Sequence, residues 1–173
     1  MGNKWKLYLI LFIVCSINVP IVNALEIDKT SNVMAIYDGD TFEITTGETI
    51  RLADIDCPEN GEYGYYEATT YLSSLISGKK VYLDIDDRYH TDSYGRLVCV
   101  VYVEDGSRYL NVNKALLSSG NAEIWDHDNE FNPYSWNLYE ETRDLNVLAE
   151  LIVPIIFIVL ILRRYKINKV QSN

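Results

Sequence analysis

The stretch Ile36-Tyr37-Asp38-Gly39-Asp40-Thr41-Phe42-Glu43-Ile44-Thr45-Thr46-Gly47-Glu48-Thr49-Ile50-Arg51-Leu52 decides how this chain folds. Residues 41–45 alternate Thr, Phe, Glu, Ile, Thr, the period of a half-buried strand. Asp38-Gly39-Asp40 stops the strand before it, read over residues 32–37, and Thr46-Gly47 has the chemistry of a hairpin turn. Residues 48–55 resume as a strand, which must end by Pro58 because proline restricts the residue before it. Three short strands joined by tight turns therefore open the folded part of the chain.

Working outward, residues 62–76 have helical spacing and stop at Gly78. Val81, Leu83 and Ile85 then face one way, with Tyr82, Asp84 and Asp86 facing the other. Residues 97–103 are apolar on both faces, which predicts the most buried strand, and Asp105-Gly106 closes it with a turn. Residues 110–119 read as a helix capped by Gly120, and Pro133 opens a last helix with Trp136 and Leu145 on its apolar face. Three strands, a helix, two strands and then helices predict an α+β, mainly β fold, a five-stranded OB-type barrel with packed helices. Trp125 and Trp136 read as core or helix-docking residues. Asp84, Asp86 and Asp87 read as a solvated face. Tyr63, Tyr65, Tyr66 and Tyr71 read as packing and amphipathic surface, with a base-stacking platform as the alternative, and His90 and His127 as residues outside the chemistry.

The two ends have a different character. Residues 1–24 begin with Lys4 and Lys6, continue as an apolar run and close on Val22-Asn23-Ala24, the pattern of a signal peptide or an N-terminal anchor. Residues 147–162 predict a transmembrane helix, apolar on every face from residue 151 to 162, and a basic cytoplasmic tail follows over 163–173. Sixteen helical residues span about 24 Å, against a hydrocarbon core of about 30 Å, so the span is short. The positive-inside bias places residues 25–146, a single domain, outside the cell membrane.

The chain of 173 residues has 25 Asp and Glu against 15 Lys and Arg. Its isoelectric point is near 4.6. Residues 25–146 hold nine Lys and Arg and 24 Asp and Glu, a charge near −15, so no broad basic face exists for a polyanion. Three Cys exclude a disulfide-dense scaffold and a Cys-rich zinc site. With Cys15 in the leader, Cys57 and Cys99 either form one disulfide or stand as two thiols.

Charged residues gather beside turns in three places: residues 37–41, 51–59 and 91–96. The second holds Arg51, Asp54, Asp56 and Glu59 on a strand that ends in a Pro turn, and the third adds Arg96. Hard oxygen ligands of this kind suit Ca²⁺ or Mg²⁺. Arginine forks bind phosphate oxygens bidentately, and a carboxylate can orient or deprotonate a water. Spacing alone leaves surface ion pairs around a barrel rim ahead as the account of the same residues.

The run from Ile36 to Thr41, Ile50-Arg51-Leu52 through Asp56-Cys57-Pro58-Glu59, and Thr91-Asp92-Ser93-Tyr94-Gly95-Arg96 resemble the three active-site segments of the staphylococcal nuclease (thermonuclease) family. Residues 110–120 resemble the family's next helix. The resemblance implies an OB-barrel and Ca²⁺-dependent hydrolysis of DNA or RNA, one ion per site, with water attacking in line and a 3′-phosphate product. It implies Asp40 and Asp56 as metal ligands, with Cys57 giving its main-chain carbonyl. Glu59 matches the carboxylate that acts on the attacking water, and Arg51 and Arg96 the pair that grips the phosphate. Tyr94 matches a substrate-binding tyrosine, and Asp38 an acid standing behind the metal. Ser93 replaces a lysine of the family pattern, and Asp126, His127 and Asp128 stand where it has tyrosines. The presence of all six charged residues favours an enzyme over the alternative, a non-catalytic binding module on the same fold.

Overall fold

The computed structural model of the chain describes residues 25–141, together with 155–156 and 158–159. The opening stretch forms three strands, β1 (Lys29–Ile36), β2 (Thr41–Ile44) and β3 (Thr49–Leu52). They pair antiparallel, with Ile36 opposite Phe42 and Phe42 opposite Ile50. After a two-residue strand β4 (Ile55–Asp56) comes helix α1 (Tyr65–Ile76). Strands β5 (Lys80–Ile85) and β6 (Leu97–Asp105) follow. β1 pairs with β5 and β5 with β6, and β6 returns to β3 in parallel, with Ile50 opposite Leu97 and Leu52 opposite Cys99. The ring β3-β2-β1-β5-β6 is a closed five-stranded barrel, as the order of elements predicts.

Alternation along the strands fills this barrel. Phe42, Ile44, Ile50, Leu52, Val81, Leu83, Val101 and Val103 turn inward and are fully buried. Ala68, Leu72 and Ile76, spaced by four, give α1 one apolar stripe that closes the barrel on one side. Helix α2 (Val112–Ser119) adds Val112 and Leu116. Its first turn is capped by the Asn111 side chain, which accepts from the Lys114 N–H, and its last by the Gly120 N–H.

The structure departs from the sequence expectations in several places. α1 starts at Tyr65 rather than at residue 62, because Gly64 takes φ 96° at the cap position. Leu110 belongs to a strand, β7 (Arg108–Asn111), held by a tight hairpin to β6 with Asp105 opposite Arg108. Pro133 opens only a single 3₁₀ turn, Pro133–Ser135, between the two-residue β8 (Glu123–Ile124), which pairs with β4, and β9 (Tyr139–Glu141), which pairs with β7. Cys57 and Cys99 are free thiols, both buried. Trp136 packs on the core as expected, whereas Trp125 is 52% exposed. Residues 1–24 and 163–173 lie outside the described residues, as does the expected membrane helix 147–162, apart from 155–156 and 158–159, which are helical. Among the described residues no helix is long and apolar enough to cross a membrane.

The acids expected to form a solvated face divide. Asp87 is exposed. Asp86 is buried, and its carboxylate accepts from the main-chain N–H groups of Arg88, Tyr89 and Glu130. Asp84 is half-buried, and burial, with Glu130, Glu26, Asp28 and Asp87 around it, pushes its carboxyl up to about 7. The native state thus favours the neutral acid. That contribution to stability is complete below the ordinary value of 3.8 and is lost as the pH rises through 7. Asp84→Asn is neutral at every pH, so it should raise the thermal midpoint above about pH 8 and leave it unchanged near pH 4, as followed by circular dichroism.

Candidate active site

The site is built where β2, β3 and β6 end on one rim. The Asp38-Gly39-Asp40 loop delivers the chain into β2, and the Asp40 N–H donates to Asp38 Oδ1 at 3.1 Å. Gly39 sits where a Cβ would lie 2.7 Å from both the Ala68 and the Cys57 Cβ atoms. Only glycine lets α1 and residue 57 close on this loop. Asp40 is consequently 5% exposed. Its Oδ2 accepts from the Cys57 N–H at 3.0 Å and meets Arg51 Nη1 at 3.0 Å, and its Oδ1 accepts from the Thr41 hydroxyl at 3.0 Å. Burial nevertheless pushes its carboxyl up to about 6, against the pull of Arg51 and the Cys57 amide.

Arg51 stands opposite Thr41 in the β2–β3 ladder. Its guanidinium bridges two carboxylates, with Nη2 on Asp56 Oδ1 at 3.1 Å, while Nη1 also donates to the Leu52 carbonyl at 3.0 Å. Arg96 precedes Leu97, the β6 residue paired with Ile50 on β3, so the two arginines reach the same rim from adjacent strands. Asp92 holds Arg96 through Nε at 2.7 Å and through its main-chain N–H at 3.0 Å. Burial works against the Asp92 charge, yet these hydrogen bonds and that from the Tyr94 N–H keep its carboxyl below the ordinary value. Arg96 Nη1 donates to Thr41 Oγ1 at 3.4 Å, and the guanidinium lies 5.3 Å from the centre of the exposed Tyr94 ring. An unbroken polar chain thus runs Arg96–Thr41–Asp40–Arg51–Asp56.

Arg51, Asp56, Glu59, Tyr94 and Arg96 line one cleft of about 650 Å³. Glu59 is exposed on its edge, its main-chain N–H donating to Glu62 Oε2 at 2.8 Å. Asp38, Asp40 and Cys57 do not line this cleft; Asp40 joins it through Arg51. The candidates therefore fall into a group that lines the cleft and a group behind it, in which Asp40 and Cys57 are buried and Asp38 is half-buried.

Three residues without an expected role prove necessary to the arrangement. Thr41 and Asp92 orient the arginines, and the i,i+4 spacing of Asp92 and Arg96 across the Gly95 turn is a local signal for the latter pair. Asp54 is legible only in three dimensions. It is buried at φ 54°, and its Oδ1 accepts from the His127 N–H at 3.1 Å and from Asn129 Nδ2 at 2.5 Å. Its carbonyl accepts from the Trp125 N–H at 3.0 Å. Asp54 thereby holds Trp125, His127 and Asn129 in the wall of the cleft.

Among the described residues no three His, Cys, Asp or Glu side chains converge on one point. The donor set expected for a cation is smaller, two carboxylates and a main-chain carbonyl. Asp40 and Asp56 both touch one guanidinium, so they lie close together, and the buried Asp40 carboxylate has the most to gain from a neighbouring cation. The Cys57 thiol is pushed up, first by burial and then by Asp40, so it stays neutral and leaves only its carbonyl as a hard donor. These residues fit a hard divalent ion.

Barrel and rim together define an OB-type domain with an arginine–carboxylate network at a solvent-facing cleft. The model of the family described as staphylococcal nuclease homologue matches residues 49–144, more than half of the chain, and the protein belongs to that family. The chain is 35% identical over 106 residues to an uncharacterized endonuclease of Escherichia coli O157:H7, covering 59% of this chain and 65% of that protein. It is 28% identical over 125 residues to a micrococcal nuclease of Shigella flexneri, 68% of this chain and 69% of the relative. It is 33% identical over 97 residues to the SPbeta prophage-derived endonuclease YokF of Bacillus subtilis, 50% of this chain and 31% of the relative. The chain thus spans just under two thirds of the length of the Escherichia coli relative.

The packing at Gly39 makes a specific expectation. Gly39→Ala should destabilise the protein by about 1–3 kcal/mol in urea denaturation, because the new methyl overlaps Ala68 and Cys57. Adding Ala68→Gly should recover part of that loss.

Proposed function

We propose that the protein is a divalent-metal-dependent nuclease that hydrolyses phosphodiester bonds of DNA or RNA. The observation that carries this reading is the convergence of two guanidiniums, Arg51 and Arg96, on one cleft with the Glu59 carboxylate at its edge. Guanidinium forks match the non-bridging oxygens of a phosphodiester and stabilise the charge that grows there during water attack. Glu59, exposed and free of an ion pair among the described residues, is the group available to orient the water and take its proton. Asp92 and Thr41 keep Arg96 aimed, and Asp40 and Asp56 keep Arg51 aimed. A Ca²⁺ ion held by Asp40, Asp56 and the Cys57 carbonyl would supply Lewis-acid stabilisation of the same charge. Asp38 supports Asp40 through its main-chain amide, and Tyr94, stacked near Arg96, offers a face to the adjoining nucleotide. The product expected from the family's chemistry carries a 3′-phosphate. The sequence of the two termini supports a single-pass protein with this domain outside the membrane.

The purified full-length chain should degrade single-stranded DNA or RNA with Ca²⁺ and stop on addition of a chelator. Glu59→Ala should lower kcat by about 10²-fold or more without changing the circular dichroism spectrum. Arg96→Ala should cost about 10²–10³ in rate. Arg51→Ala should cost as much in rate and also lower the thermal midpoint, since it leaves the buried Asp40 without its counter-charge. Unchanged turnover in Glu59→Ala overturns the assignment, and binding without cleavage in the wild type favours the binding-module reading. With a charge near −15 on residues 25–146, association with a polyanion should quicken from low to moderate salt.

A further inference from the structure

A second groove of about 880 Å³ adjoins the cleft and shares two of its wall residues, Asp56 and Trp125. Its apolar lining includes Pro58, Tyr63, Ile124 and Trp125, and its charged lining is wholly acidic, with Asp56, Glu62, Glu123 and Asp126 and neither Lys nor Arg. Two aromatic rings face it without serving the core. Tyr63 is fully exposed. The backbone beside Tyr63 is nonetheless fixed, because Gly64, at φ 96°, packs so closely on Pro58 that a Cβ there would lie 3.1 Å from the Pro58 Cγ. Trp125 is 52% exposed, its ring stacked on His127 with centres 5.4 Å apart and planes 20° apart. Its main chain is anchored to Asp54, and β8 just before it pairs with β4, which carries Asp56.

Resting on the nuclease reading above, we propose that this groove is a stacking track for unpaired nucleotides that flank the scissile phosphate, with bases inserted between the Tyr63 and Trp125 rings. Continuity with the cleft through Asp56 directs the strand into it. The acidic lining decides the strand's orientation. Phosphates are repelled by Glu62, Glu123 and Asp126, so the backbone runs along the solvent side and only the neutral bases enter. Aromatic rings hold any base by its π-face, without reading sequence. The same inference answers how a chain with so few basic residues retains a polyanion: a share of the affinity comes from stacking, which releases no counterions. A base paired in a duplex cannot enter, so the track selects single-stranded or frayed segments.

The test uses the full-length chain with decathymidylate and dithymidylate, the short substrate reaching the cleft but not the track. Tyr63→Ala should raise KM for decathymidylate about tenfold with kcat unchanged, and leave KM for dithymidylate unchanged. Tyr63→Phe should behave as wild type, because the ring face and not the hydroxyl is used. The tenfold ratio should hold between about 50 and about 200 mM salt. A parallel binding titration, decathymidylate quenching tryptophan fluorescence in chelator, separates this inference from the catalytic one. Weaker binding by Tyr63→Ala supports the track even if no cleavage is seen. Cleavage by wild type with KM unaltered in Tyr63→Ala overturns the track and spares the nuclease reading. An equal loss on both substrates, or a loss that vanishes at higher salt, also overturns it.

Discussion

The parallel pairing of β3 with β6 is the contact on which the rest depends. It is the seam that closes the ring of strands, joining Leu52 to Cys99 and Arg51 to Val98. The Ala53 N–H continues it to the Cys99 carbonyl at 2.8 Å. A buried asparagine of α2 locks the seam from behind. Asn113 donates to the Ala53 and Cys99 carbonyls and accepts from the Val101 N–H. Closing the barrel at this register brings Arg96 beside Arg51, so the fold's topological constraint and the site's geometry are one fact.

Behind the two arginines lies a buried carboxylate that would be costly alone. Asp40 is tolerated because the Cys57 amide, the Thr41 hydroxyl and the Arg51 guanidinium all point at it. Burial still tilts it toward the neutral form. Tight packing around Gly39 keeps it there, with α1 and Cys57 closing over the loop. The domain thus holds, within one hydrogen-bonded chain, the acid and the arginine to which the proposed function assigns the cation and the phosphate. Of the nine Lys and Arg in residues 25–146, Arg51 and Arg96 are the two that line the cleft.

Local chemistry made the first half of the fold legible. The Asp-Gly-Asp stop, the Thr-Gly turn and the alternation from Thr41 to Leu52 announce β2 and β3 without reference to anything distant. The four-residue spacing of Ala68, Leu72 and Ile76 does the same for α1. Past Gly120 the local signal fails. Pro133 is equally at home opening a helix or a single 3₁₀ turn, and the short β7–β9 ladder decides between them. Trp125 illustrates the same limit, because an aromatic residue near a strand reads as core until the surrounding elements leave half of it open.

By itself the sequence determined the barrel class, the order of its strands and the identity of the charged residues beside its turns, because periodicity and turn chemistry act over a few neighbouring residues. Tertiary structure alone decided which of those residues share a cleft and which stand behind it. The Arg51–Asp40 pair, the contact of Arg96 with Thr41 and the hold of Asp54 on residues 127 and 129 join positions from 11 to 75 apart in the chain. Tertiary structure also freed the two cysteine thiols and buried Asp86. Such contacts depend on ring closure and packing volume, which no local pattern carries.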